Sequence, residues 1–132
     1  MLSLSLPGRV FLCTLPTDMR KSFDTLAALV QTQLGQDPLS GDLFVFRSRR
    51  GDRIKLLYWN DDGYAIWYKR LEAGTFQFPF AETGRKEIAA WELGLLLEGI
   101  DLSKGQRRKR YSLPETTTLQ ENQPMDVAQK RS

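Results

Sequence analysis

Three runs, Leu43-Phe44-Val45-Phe46, Ile54-Lys55-Leu56-Leu57-Tyr58-Trp59 and Tyr64-Ala65-Ile66-Trp67-Tyr68-Lys69-Arg70, decide how this chain folds. The first two are separated by Arg49-Arg50-Gly51-Asp52, and the last two by Asn60-Asp61-Asp62-Gly63. Aromatic and β-branched residues favour strands, whereas Gly beside Asp or Asn marks tight turns. The stretch from Asp42 to Leu71 therefore reads as a three-stranded antiparallel meander. In a meander the third strand returns to the end where the first turn lies. Lys69 and Arg70 are thus expected beside Arg47, Arg49, Arg50, Arg53 and Lys55, with Asp61 and Asp62 at the opposite end. A sheet end of that composition suits phosphate groups. Charged residues also blunt exposed edges and turns, so the pattern alone leaves both readings open.

On the N-terminal side, Arg9-Val10-Phe11-Leu12-Cys13 follows Pro7-Gly8 and reads as a short buried strand. Met19, Phe23, Leu26, Ala27, Val30 and Leu34 then recur at helical spacing, with Thr17 or Asp18 as the expected N-cap and Gly35 as the stop. Arg20 and Lys21 fall in the expected first turn, where positive charge opposes the helix dipole. On the C-terminal side, Thr75 to Phe80 suggests a short edge strand closed by Pro79. Thr83 would cap a second helix over Arg85 to Glu98, with Ile88, Trp91 and Leu95 facing the core and Gly99 ending it. From Lys104 onward the composition turns basic and then polar, with too few large apolar residues to order itself. One α+β domain over residues 1–103 and a disordered tail over 104–132 are expected.

The net charge of the 132 residues is only +3, but its distribution is uneven. Arg47 to Arg70 holds seven basic and three acidic residues, and Lys104 to Tyr111 holds five basic and no acidic ones. Clustered basic charge favours a polyanionic partner. Arg107-Arg108-Lys109-Arg110 in the tail joins the candidate nucleic-acid-binding set. There is no histidine, and Cys13 is the only cysteine. An internal disulfide and zinc sites built on His and Cys are therefore excluded. Without histidine the usual general base is missing, and a cysteine in an apolar run is a poor nucleophile. No phosphate-binding glycine loop is present. Asp61 and Asp62 suit a hairpin turn rather than a metal pair. The expectation is a non-enzyme without cofactor or metal, cytoplasmic, and not inserted in a membrane.

Tyr58, Trp59, Tyr64, Trp67 and Tyr68 interleave with Lys55, Lys69 and Arg70. Rings on a sheet face can stack on bases, or alternate rings can face the core. Core packing accounts for most of them, and Trp59 is left as the candidate stacking residue.

Several stretches together resemble one family. They are Pro16-Thr17-Asp18-Met19-Arg20-Lys21-Ser22-Phe23-Asp24, Leu26-Ala27-Ala28-Leu29-Val30 and Gly41-Asp42-Leu43-Phe44-Val45-Phe46 with the basic turn after it. Ile54-Lys55-Leu56-Leu57-Tyr58-Trp59, Asp62-Gly63-Tyr64, Trp67-Tyr68-Lys69-Arg70-Leu71-Glu72 and Leu96-Leu97-Glu98-Gly99-Ile100-Asp101 complete the set. From about Pro7 to Leu102 the chain resembles the TnpB-type accessory protein of the insertion sequence 66 family. That protein is the product of the element's second open reading frame, and is distinct from the RNA-guided nuclease of the same name. Thr25, Asn60 and Gln77-Phe78 depart from the pattern, which is expected to carry glycine, aspartate and Arg-Trp there. The resemblance implies a small protein encoded beside a larger transposase and needed for efficient transposition.

The combined expectation is an α+β fold with an N-terminal strand and helix, a three-stranded antiparallel meander and a C-terminal helix. The expected function is a transposition accessory factor that binds DNA at the element's ends, or the transposase-DNA complex, through the basic sheet end. The alternative is a non-catalytic subunit that docks on the transposase without touching DNA.

Overall fold

The computed structural model of the chain describes residues 8–79, 81–101 and 106–107. Five strands form one mixed sheet: β1 (Val10–Cys13), β2 (Leu43–Arg47), β3 (Arg53–Asn60), β4 (Gly63–Arg70) and β5 (Arg85–Ile88). Their spatial order is β4-β3-β2-β1-β5. Helices α1 (Phe23–Thr32) and α2 (Ala90–Glu98) complete the fold, and a short pair, β6 (Ile100–Asp101) and β7 (Gln106–Arg107), follows α2. The class is α+β.

The meander forms as its turn chemistry dictates. β2 and β3 pair antiparallel with Phe44 opposite Leu57, and β3 and β4 pair from Arg53↔Arg70 to Asn60↔Gly63. The rest of the sheet is not antiparallel throughout. β1 runs parallel to β2, Val10 beside Leu43 and Cys13 beside Phe46, with α1 in the crossover. Parallel neighbours need such a connection and tend to be buried on both faces, and β1 reads accordingly: all four of its residues are buried.

The two faces of the sheet carry separate cores. Leu26, Val30 and Leu34 from α1 and the residues just after it pack with Phe11, Cys13, Phe44, Phe46 and Leu57. On the other face Leu93, Leu96 and Leu97 of α2 pack with Val10, Leu12, Val45, Ile54 and Leu56. The rings divide between them: Tyr58 and Trp67 lie against the α2-side core, and Tyr64 against the α1-side core.

Several expectations are corrected. α1 begins at Phe23 with Ser22 as its N-cap, so Thr17 and Asp18 do not cap it and Arg20 and Lys21 precede it. The Ser22 N–H donates to the Thr25 hydroxyl at 2.9 Å, which gives this departure from the family pattern a capping role. Phe23, at the helix start, is largely exposed. Residues 85–88 form β5 instead of the start of a second helix, pairing antiparallel with β1 from Val10↔Ile88 to Cys13↔Arg85. Gly84 before it has φ 78°, a conformation that breaks a helix and suits glycine, and a Cβ there would press on the Leu15 side chain. With β5 withdrawn from the helix, α2 starts at Ala90. Its face rotates, leaving Trp91 at 68% exposure while Leu93, Leu96 and Leu97 are buried. Residues 75–79 form no strand; Phe76 instead enters the α2-side core as a single buried ring. Phe80 lies outside the described residues.

Two substitutions separate these placements. Phe76→Ala removes a fully buried ring and should cost about 3–5 kcal/mol. Trp91→Ala should change stability by less than about half a kcal/mol, as surface substitutions do. Urea denaturation of both variants measures the contrast; equal losses would contradict the exposed placement of Trp91.

Candidate nucleic-acid interface

The pairing register assembles the basic end. Arg53 stands opposite Arg70, Ile54 opposite Lys69, and Arg47 opposite Ile54, all next to the turn that carries Arg49 and Arg50. Asp61 and Asp62 lie in the turn at the other end, between Asn60 and Gly63. The sheet is therefore polarised along its strands. Side-chain alternation then divides the set between faces. Arg53, Lys55 and Arg70 share the α1 face with Leu57, whereas Arg47 and Lys69 share the α2 face with Ile54.

The turn is a braced structure. The Ser48 N–H donates to the Arg53 carbonyl at 2.9 Å, and the Gly51 N–H to the Ser48 carbonyl at 2.9 Å. The Ser48 hydroxyl accepts from the Arg53 N–H and lies 3.2 Å from Asp52 Oδ1. Two neighbouring loops add backbone bonds: the Leu71 N–H donates to the Asp52 carbonyl at 2.7 Å, and the Phe76 N–H to the Gly51 carbonyl at 2.7 Å. A third segment joins through the Thr17 N–H, which donates to the Arg47 carbonyl at 2.9 Å. Gly51 has φ 81°, and a Cβ there would come within 3.2 Å of the Thr75 side chain, so this crowded position requires glycine. Arg49 and Arg50 project from the braced turn into solvent. Among the described residues neither makes a side-chain hydrogen bond or ion pair, and the same holds for Arg53 and Lys69.

Two of the expected contact residues are used internally. Lys55 is only 8% exposed. Its ammonium donates to the carbonyls of Met19 at 2.8 Å and Lys21 at 2.7 Å, and lies 4.8 Å from the centroid of the Tyr68 ring. It holds the segment before α1 against the sheet. Arg47 donates to the Phe76 carbonyl at 2.9 Å, with its guanidinium 4.5 Å from the Phe78 centroid. Burial lowers its pKa from the usual value, yet an arginine remains charged. Phe78 here occupies a position where the family pattern suggests tryptophan, and it serves as a ring platform for Arg47. Arg70 is exposed but shares its charge with Glu72 at 3.0 Å.

Trp59 sits toward the Asp61 end of β3, edge-on to Tyr64 with centroids 5.2 Å apart, and so is remote from the basic end. Tyr68, 48% exposed and resting on Lys55, is the ring that accompanies the arginines. Arg107 is described only through its strand pairing with Ile100, and Arg108, Lys109 and Arg110 lie outside the described residues. The expected tail shares that position apart from Gln106–Arg107.

Sequence reasoning placed neither Arg85 nor Lys86 here and read Lys21 as a first-turn charge. Pairing of β5 with β1 places the Arg85 backbone beside Cys13, in the row that continues through Phe46 and Lys55, and Lys86 one row further in, while the Arg85 guanidinium lies beside Gly35 just after α1. Lys21 is brought in by the Lys55 bond to its carbonyl. Arg20 is present too, but Asp18 meets its guanidinium at 2.7 Å and is held well below the usual carboxylate range by those hydrogen bonds. The acidic residues at this end are largely engaged, Asp18 by Arg20, Asp52 by Ser48 and Glu72 by Arg70. No cluster of His, Cys, Asp or Glu among the described residues has metal-binding geometry. Cys13 is buried, and burial pushes its thiol pKa up, away from nucleophilic use.

A family model described as IS66 Orf2 like protein matches residues 8–107. The chain belongs to that family. Membership implies an accessory role in the transposition of an insertion sequence. Two relatives are both uncharacterized proteins of Sinorhizobium fredii (strain NBRC 101917 / NGR234). The protein y4jC is 38% identical over 100 residues, covering 76% of this chain and 86% of its own. The protein y4hO is 44% identical over 93 residues, covering 70% of this chain and 81% of its own. No solved structure gives a significant match. Among the described residues no helix is long and apolar enough to cross a membrane.

Lys55 supplies a direct test of how the IS66 Orf2-like fold holds its basic end. Lys55→Met preserves the side chain's length but leaves two carbonyls without their charged donor. It should lower stability by about 1–3 kcal/mol, and the loss should persist in high salt because a buried contact is weakly screened. Urea titration at low and high salt checks both; a fully stable variant would show the bonds to be dispensable.

Proposed function

We propose that this accessory protein binds duplex DNA through the basic end of its sheet, gripping phosphates rather than reading bases. The observation that carries this reading is the braced turn with Arg49 and Arg50 exposed and unpaired, beside the directly opposed Arg53 and Arg70. Glu72 balances Arg70 at 3.0 Å, so the uncompensated charge beside this pair is that of Arg49, Arg50, Arg53 and Lys69, which a phosphate would neutralise. Arg49, Arg50, Arg53, Lys69 and Arg70 form the contact set, extended by Arg85 and Lys86. Lys55 and Arg47 act as supports. Phosphate contacts fix position without sequence readout, so the role is to clamp or bend element-end DNA within the transposase complex. The run Arg107-Arg108-Lys109-Arg110 would add affinity without sequence preference.

A second reading, a subunit that docks on the transposase of the same element without DNA contact, draws on the exposed Trp91 of α2. Tryptophan is frequent among interface anchors.

Replacing Arg49 and Arg50 together by alanine distinguishes the two. Stability should change by less than about half a kcal/mol. Affinity should fall alike for unrelated duplexes, and the slope of log K against log salt should shrink by roughly 0.9 for each phosphate that is no longer neutralised. Unchanged DNA binding, with the transposase failing to co-purify, would support the docking reading instead.

A further inference from the structure

The two edges of the sheet differ. β5 is four residues long and carries Arg85-Lys86-Glu87, with Arg9 bridged to Glu87 at 2.6 Å. Short, charged edges resist pairing with other chains. β4 is eight residues long, and from Gly63 to Tyr68 it carries no charge. Because the hairpin closes on Asn60↔Gly63, bonded pairs with β3 fall on Gly63, Ala65, Trp67 and Lys69. The Leu71 N–H, next in that series, points to the β3 side and donates to Asp52. The N–H and C=O groups of Tyr64, Ile66, Tyr68 and Arg70 therefore point away from β3. Among the described residues no backbone group pairs with them.

We propose that the β4 edge pairs antiparallel with β4 of a second copy of this chain, joining two five-stranded sheets into one. The occupant follows from charge order along the strand. β4 has Asp61 and Asp62 before one end and Lys69 and Arg70 at the other, so antiparallel pairing sets basic against acidic at both ends of the seam. A two-fold axis at Ile66 places Asp62 opposite Arg70, Tyr64 opposite Tyr68 and Ala65 opposite Trp67 of the second copy. Opposed residues then share a face, as a two-fold perpendicular to the sheet requires. Shifting the axis to Trp67 would set Asp62 against Glu72. The aromatic pairs add cross-strand contact. Arg70, bridged to Glu72, gains Asp62 of the second copy and stays beside Arg53, so the seam and the phosphate contact set meet at this residue.

The test uses the full chain without DNA, so its outcome is independent of the DNA reading. Sedimentation equilibrium should give about twice the 15.2 kDa chain mass. Hydrogen exchange should show the Ile66 and Tyr68 amides more protected as concentration rises. Asp62→Lys and Arg70→Glu should each weaken the dimer by roughly tenfold, and the double variant should restore it. A monomer at all concentrations overturns the proposal. So does a dimer with Ile66 and Tyr68 unprotected, or one that the single charge reversals do not weaken.

Discussion

Burial on both faces is the constraint from which the rest of this structure follows. β1, β2 and most of β3 are covered by α1 on one side and α2 with Phe76 on the other. A charged side chain in the middle of such a strand has no route to water, and an unpaired charge there is costly. The charges are consequently displaced to the strand ends. The chain's parallel step from β1 to β2 and its two hairpin turns then decide which end receives which sign. Polarity along the sheet is thus a product of the packing.

Lys55 shows the rule at its limit. It lies one residue inside the buried part of β3, and its ammonium is tolerated because two carbonyls and a tyrosine ring replace water. The same bonds draw the segment before α1 toward the basic end, so a buried lysine arranges exposed charges around it. Arg47 plays the corresponding part on the opposite face through Phe76 and Phe78. The exposed arginines stand on a turn whose backbone is fixed from several directions, which limits the ordering cost of any contact they make.

Much of this was legible in the sequence because local chemistry and tertiary fold agree there. The hairpin turns, the alternation of β3 and β4, and the Leu26, Val30 and Leu34 stripe of α1 all carry their own signals. β5 does not. Arg85-Lys86-Glu87 has the composition of a solvated helix turn, and it becomes a strand only because β1 needs a neighbour on its second edge. That long-range demand also displaced the start of α2 and turned Trp91 outward. Phe76 was illegible for a related reason: it enters the core from an irregular segment with no periodicity. Within the candidate site the clustering of basic residues was legible from turn geometry, but the inward orientation of Lys55 and Arg47 and the arrival of Arg85 were not. Those depend on which carbonyls and strands the fold brings near.

On the proposed reading the basic end of the sheet is the surface that meets DNA. Amide chemical shifts of the isotopically labelled protein, followed during titration with a short duplex, would locate that surface residue by residue. The largest changes should fall on residues 48–53 and 69–70, with smaller ones on 19–21 and 85–86, and all should fade as salt is raised. Changes confined to α2 around Trp91, with the 48–53 turn silent, would contradict it.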